Sequence, residues 1–179
     1  YGLDSDSELR MLQAIVLLSQ TQQCVDLVPT FMPAHAFPPK ADRQKYIDDI
    51  INDMLPRAVQ LVEEASNGKK TTLFNDVFCD KGYFTLEETR RILEEGVKVG
   101  CKPKVHSDEF ASLGATALAA DMGAASGDHL LNITDEDIAR LAASNTAAVL
   151  LPGTSFFLNL SEHAPARKLI DAGAIVALG

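Results

Sequence analysis

An α/β fold built on a parallel sheet is what this sequence predicts, and three observations predict it. Helix-like and strand-like segments alternate along the chain. The strand-like runs are mostly apolar, the pattern of strands buried on both faces. Polar residues, histidines above all, collect where those runs end.

The elements follow in order. Asp4 to Gln23 opens with polar capping candidates and carries Leu9, Leu12, Ile15, Val16 and Leu18 at helical spacing. Cys24 to Met32 is an apolar strand-like run, ended by Pro33, Pro38 and Pro39. Asp42 to Ala65 reads as a second helix, with Ile47, Ile50, Ile51, Met54 and Leu55 on one side. Pro56 falls inside it and predicts a kink or break; Asn67 and Gly68 close it. Thr72 to Cys79 is a short strand. Thr85 with Glu88 forms a capping-box pattern that starts a helix to about Val99, stopped by Gly100. Lys104 to His106 ends the next strand, and Leu113 to Met122 is a helix closed by Gly123. Ala125 to Leu130 is a strand, and Thr134 with Asp137 opens a helix ending near Ser144. Ala147 to Leu151 is a strand broken by Pro152 and Gly153. Pro165 to Ala172 is the last helix and Ala174 to Leu178 the last strand, giving six of each.

Right-handed β-α units of this kind build either an open doubly wound sheet or a closed eight-stranded barrel. No GxGxxG follows a first strand, which weakens the dinucleotide-binding version. The chain opens abruptly at Tyr1-Gly2-Leu3 and closes on a strand at Gly179. The expectation is a single catalytic-barrel domain over 1–179, about six β-α units of a (β/α)8 TIM-type barrel. It lacks the first strands and the end of the last one.

Composition narrows the function classes. Hydrophobic residues make up 46% of the 179 and charged residues 23%, a globular mixture. The net charge of −9 repels phosphate backbones, so no nucleic acid is expected as a partner. No apolar run approaches the roughly 20 residues of a spanning helix, so no membrane association is expected. No basic-then-apolar leader marks the chain for export. Cys24, Cys79 and Cys101 are an odd, scattered set with no CxxC pair. Their apolar flanks read as those of buried free thiols in a reducing cytoplasm.

In a barrel the active site lies at the C-terminal ends of the strands. The first strand leads to His35, the second to Cys79 and Asp80, the third to His106, Asp108 and Glu109, the fourth to Asp128 and His129. Three of the four histidines stand at these ends, which points to a metal or catalytic site. His163, in a Ser-Glu-His-Ala-Pro loop, reads as an ordinary surface or satisfied core histidine rather than a site residue. Lys104-Val-His-Ser-Asp-Glu-Phe110 is the most informative segment: an imidazole leaving a rigid strand suits a divalent metal. Glu109 can turn back toward that metal's water, and Asp108 suits capping of the following turn.

These segments resemble imidazolonepropionase, a family of the amidohydrolase superfamily. Lys104-Val-His-Ser-Asp-Glu is similar to the family's metal-binding strand, and Tyr1-Gly-Leu to the end of its Lys-Ser-Gly-Tyr-Gly-Leu stretch. Ala34-His-Ala-Phe-Pro-Pro resembles its Ala-His-Ala-x-Pro-Pro loop, Ser126-Gly-Asp-His-Leu its Ala-Asp-His-Leu strand end, and Leu150-Leu-Pro-Gly-Thr-Ser-Phe-Phe its Leu-Leu-Pro-Gly-Thr-x-Phe stretch. The order is the family's, and the match is to the central part of its chain. The resemblance implies metal-dependent hydrolysis of the ring amide of 4-imidazolone-5-propanoate to N-formimidoyl-L-glutamate, in histidine degradation.

It further implies His106 as a metal ligand, the metal being zinc or iron. Glu109 contacts substrate and the attacking water and relays a proton, and His129 hydrogen-bonds the developing oxyanion or the water. Tyr1 and His35 contact substrate. A cytoplasmic homodimer is implied as well. The family's first-strand His-x-His pair, its propanoate-binding Arg and its last-strand Asp are absent, and Cys79-Asp80 stands where many members have Cys-Glu. One histidine cannot hold a catalytic zinc, which needs about three protein ligands, so this stretch alone is expected to be inactive. Two alternatives stay open: another superfamily hydrolase or deaminase acting on a heterocycle, and a non-catalytic α/β domain.

Overall fold

The computed structural model describes residues 2–21, 24–66 and 71–179. The chain divides into two compact units, Tyr1–Val77 with Arg90–Lys102, and Phe78–Thr89 with Pro103–Gly179.

In the first unit, α1 (Ser5–Ser19) is capped by the Asp4 carboxylate, which accepts from the Ser7 amide. It ends before the expected Gln23, which with Gln22 lies outside the described residues. Strand β1 covers Thr30–Ala34, later than the expected Cys24. A strand needs a partner, and β2 (Phe74–Cys79) offers one only from Phe74, which pairs in parallel with Thr30. Val25 and Val28 are left exposed. The register slips between Phe31 and Ala34, around Pro33, which has no N–H to give.

Helix α2 (Arg43–Asp49) passes through a π-helical stretch at Ile50–Met54 into α3 (Leu55–Ala65). Pro56 therefore does not break the helix. Its ring would crowd the carbonyl one turn back, and the widened turn, with Leu55 N–H donating to Ile50, gives it room. Ile50, Met54 and Leu55 are buried there. Asn67 and Gly68, expected to close α3, lie outside the described residues. Helix α4 (Leu86–Lys98) contributes Ile92 and Leu93 to this core, and Gly96 makes room for Asn75 of β2, whose Nδ2 donates to the Ile92 carbonyl at 3.3 Å.

The second unit holds the start of α4, where Thr85 and Glu88 cap each other reciprocally as the sequence predicts. There follow β3 (Lys102–Ser107), α5 (Ala115–Asp121), β4 (Ser126–His129), α6 (Asp135–Ala142), β5 (Ala147–Leu150), α7 (Pro152–Phe157), α8 (Ala166–Asp171) and β6 (Val176–Leu178). Within this unit β3, β4, β5 and β6 pair in parallel and in chain order. Leu130, Ile138, Leu141, Ala148, Leu150 and Leu169 form one buried cluster. Helix α7 was not expected, because Pro152 and Gly153 read as breakers. Pro152 instead occupies the first helical position, where its missing N–H costs nothing.

Three helices end alike. After α4, α5 and α8 the chain turns through Gly100, Gly123 and Gly173, at φ of 100°, 62° and 86°. In each, the glycine N–H and the next N–H reach back to carbonyls of the last turn, as in Cys101 to Gly96, Ala124 to Ala119 and Ala174 to Leu169. No helix among the described residues is long and apolar enough to cross a membrane.

Candidate active site

In the second unit the ends of β3 and β4 bring three of the expected residues together. Parallel register sets His106 beside Asp128 and Ser107 beside His129. The His106 and His129 rings stand with centroids 5.1 Å apart, and His129 Nδ1 lies 3.4 Å from Glu109 Oε1. Glu109 and His129 are both buried. Burial pushes the Glu109 carboxyl above the usual carboxylate range; His106 opposes that shift and Asp80 adds to it. A carboxyl that resists ionisation next to an imidazole is equipped to accept and return a proton.

His106 is the most accessible of the three. Its Nδ1 lies 3.9 Å from Asp128 Oδ2, an oxygen that also takes Lys104 Nζ at 3.0 Å. A carboxylate behind an imidazole is the usual support for a histidine that ligates a metal through its other nitrogen. An imidazole supported in this way suits a divalent metal ion that has further ligands.

The backbone at these ends is unusual. Asp108, His129 and Leu130 have φ of 50°, 81° and 63°, the left-handed region that costs a non-glycine about 1–2 kcal/mol. Each is held there. The Asp108 carboxylate accepts from Leu113 N at 2.8 Å and from Thr116 N and Oγ1 at 3.0 and 2.6 Å, the capping role its position suggested. Leu130 is fully buried, and its N–H donates to Ser107 O. The strained turn aims His129 and the segment after His106 away from regular strand directions.

Glu109 is gripped by its backbone. Asp80 Oδ2 accepts from both Glu109 N and Phe110 N at 2.8 Å, and Asn132 Nδ2 donates to Glu109 O at 2.7 Å. Beside Glu109 a cleft of about 300 Å³ is lined by Phe110, Leu131, Asn132, Leu160 and Glu162.

The first unit holds its own buried pair. His35 follows β1, with Nε2 3.4 Å from Asp76 Oδ1 of β2. Tyr46 hydroxyl donates to Pro33 O at 3.0 Å and stacks edge-on with Phe37, which fixes the loop around His35. Tyr1 lies outside the described residues. His163 is exposed.

Asp76, Asp128 and Asn132 take parts that sequence reasoning did not assign. Asn75-Asp76 was a usable signal: two polar residues inside an otherwise apolar strand. Asn132 carried none, because its contact depends on the turn after β4.

No family model matches the chain. Curated relatives do, over its whole length. The chain is 42% identical over 180 residues to an imidazolonepropionase of Alkaliphilus metalliredigens, covering 99% of this chain and 40% of that protein. It is 45% identical over 183 residues to one of Halobacterium salinarum, covering 100% and 42%, and 44% identical over 180 to one of Geobacillus kaustophilus, covering 99% and 40%. The resemblance seen in the motifs thus runs from end to end, and the chain spans about two-fifths of these relatives.

Among solved structures, an amidohydrolase from Brucella melitensis matches with a TM-score of 0.65 at 16% identity, over 100% of this chain and 42% of that one. A zinc-bound adenosine deaminase from Xanthomonas campestris matches with 0.61 at 14%, over 98% and 39%. A guanine deaminase from C. acetobutylicum matches with 0.62 at 15%, over 99% and 44%. The fold is the TIM-type barrel of these structures, in part, with six parallel strands among the described residues.

Proposed function

We propose that this chain, which aligns along its full length with imidazolonepropionases, is part of an enzyme of that activity. It would hydrolyse the ring amide of 4-imidazolone-5-propanoate to N-formimidoyl-L-glutamate in histidine degradation. The observation that carries the reading is the buried Glu109 carboxyl facing His129, three residues after a strand-end histidine.

In this reading 1–179 belongs to one catalytic-barrel domain. His106 holds a zinc or iron ion together with ligands from elsewhere in the protein, and Asp128 with Lys104 keeps its ring in orientation. The ion, when bound, lowers the pKa of water and polarises a carbonyl. Glu109 takes the proton of the attacking water as its oxygen bonds to the ring carbonyl carbon. The carbonyl electron pair moves to oxygen, where an N–H of His129 stabilises the charge. When the intermediate collapses, the C–N bond breaks and Glu109 returns the proton to the departing nitrogen. Tyr1 and His35 contact the substrate. The enzyme is a cytoplasmic homodimer.

The test is a single-turnover assay of the full-length protein, loaded with zinc or iron, on 4-imidazolone-5-propanoate. Ring opening at a rate that collapses in His106→Ala, with metal content falling alongside, supports the assignment. An intact ring sinks it, and ammonia released from a purine or pyrimidine would move the protein to the heterocycle deaminases.

A further inference from the structure

The grip on Glu109 has an owner with no part in the reaction above. Asp80 follows directly on β2 and is buried. One of its oxygens accepts the N–H of Glu109 and of Phe110, both at 2.8 Å; the other accepts from Lys81 N at 2.6 Å. Both oxygens are thus committed to main-chain donors. The segment they hold follows Asp108, whose left-handed backbone turns the chain out of β3. Such a turn leaves the next peptide groups without strand partners, and a buried N–H needs an acceptor. A carboxylate is the strongest one available, and anchoring two successive N–H groups fixes the Glu109 Cα and the direction of its side chain.

We propose that Asp80 is a positioning residue for Glu109: through these two N–H bonds it sets the distance between the Glu109 carboxylate and His129. This role is geometric and separate from the push that the Asp80 charge adds to the Glu109 carboxyl. The inference rests on the reading of Glu109 as the proton-transfer group. Asparagine at position 80 separates the two possibilities. Its single carbonyl oxygen can still accept both N–H groups, losing only the contact to Lys81, whereas alanine removes the anchor.

The experiment uses the full-length, metal-loaded protein. Wild type, Asp80→Asn, Asp80→Ala, Glu109→Gln and the double variant Asp80→Ala/Glu109→Gln are compared on 4-imidazolone-5-propanoate. Metal content and Tm are measured on each, and amide exchange on the peptide holding Glu109 and Phe110. Misplacement of a reacting group by an ångström costs up to about 100-fold. Asp80→Ala should therefore lose roughly 10–100-fold in kcat with KM nearly unchanged, and Asp80→Asn less than about tenfold. In the Glu109→Gln background the alanine substitution should cost no more than about twofold, since residues acting through one group are not additive. Exchange at Glu109 and Phe110 should accelerate in Asp80→Ala and stay slow in Asp80→Asn.

The proposal is overturned if Asp80→Asn is as slow as Asp80→Ala, if the losses multiply in the double variant, or if exchange at Glu109 is unaltered by alanine. Should Asp80→Ala not fold, the same cycle runs with Asp80→Asn, whose smaller loss must still vanish beside Glu109→Gln. An inactive wild type would overturn the proposed reaction alone, and the grip of Asp80 is then decided by the exchange rates.

Discussion

The two ends of the strands handle the same geometric problem in opposite ways. Where helices turn back into strands, the left-handed residue is glycine: Gly100, Gly123 and Gly173. Where β3 and β4 leave the sheet, it is Asp108, His129 and Leu130. A glycine turn costs no side-chain strain and closes the helix with two main-chain bonds. A non-glycine turn costs about 1–2 kcal/mol per residue and persists only where contacts over-determine it. The contacts are visible: three donors on the Asp108 carboxylate, complete burial of Leu130, and the Asp80 grip on Glu109. One end of the barrel strands is built for closure, the other for aiming side chains.

If that contrast is right, substitutions at the two ends should differ in kind. The largest effect is on activity: Glu109→Gln should lower kcat about 10²–10⁴-fold in the full-length enzyme, the range of a lost general acid–base. Its Tm should hardly move, and a stability loss of comparable size would break the contrast. The pH dependence sharpens the same point. Burial raises Glu109, so its protonated form persists above the usual carboxylate range. Turnover that needs the carboxylate then rises as pH climbs through that raised value, and Glu109→Gln should lack this limb. For folding the sign is reversed: a carboxyl raised by burial favours the fold below its unfolded pKa, and that contribution fades as pH rises through the folded value.

Next in size is Leu130→Ala, which removes a fully buried side chain and should cost about 2–5 kcal/mol in denaturant unfolding. A loss under about 1 kcal/mol would mean the strained turn is not held by packing. At the opposite end, Gly123→Ala meets open space and only the conformational penalty, about 1–2 kcal/mol, with kcat unchanged. A fall in kcat there would erase the division of labour. The smallest effect is chemical: Cys24 is exposed, against the expectation of three buried thiols, while burial raises Cys79 and Cys101 to about 11. Thiol titration at neutral pH should modify Cys24 and leave the other two until unfolding.

Much of this architecture was legible in the residues. Alternation of apolar runs with helical spacing, the Thr85–Glu88 box, the Thr134 cap and the stops at Gly100 and Gly123 each depend on a few neighbouring positions, and each stands in the fold. That His106, Glu109 and His129 stand at strand ends was legible too, because histidines where apolar runs stop are a local pattern. Their five-segment resemblance to a known family extended that pattern. Misplaced features all depended on partners. The start of β1 waited for Phe74 of β2, and α7 formed where Pro152 could serve as a first turn. Pro56 was absorbed by a π turn because Ile50, Met54 and Leu55 had a core to fill.

Short-range chemistry, then, was determined by the sequence itself: which segments coil, which extend, where each helix caps and stops, and which strand ends carry titratable groups. Such features involve donors and acceptors within a turn or so of each other, so adjacent residue types suffice. Tertiary structure alone decided that Glu109 meets His129, that Asp128 stands behind His106, and that Asp80 takes two N–H groups some 30 positions away. Those contacts exist only once parallel register brings separate strand ends side by side, and register is set by burying whole faces of the sheet.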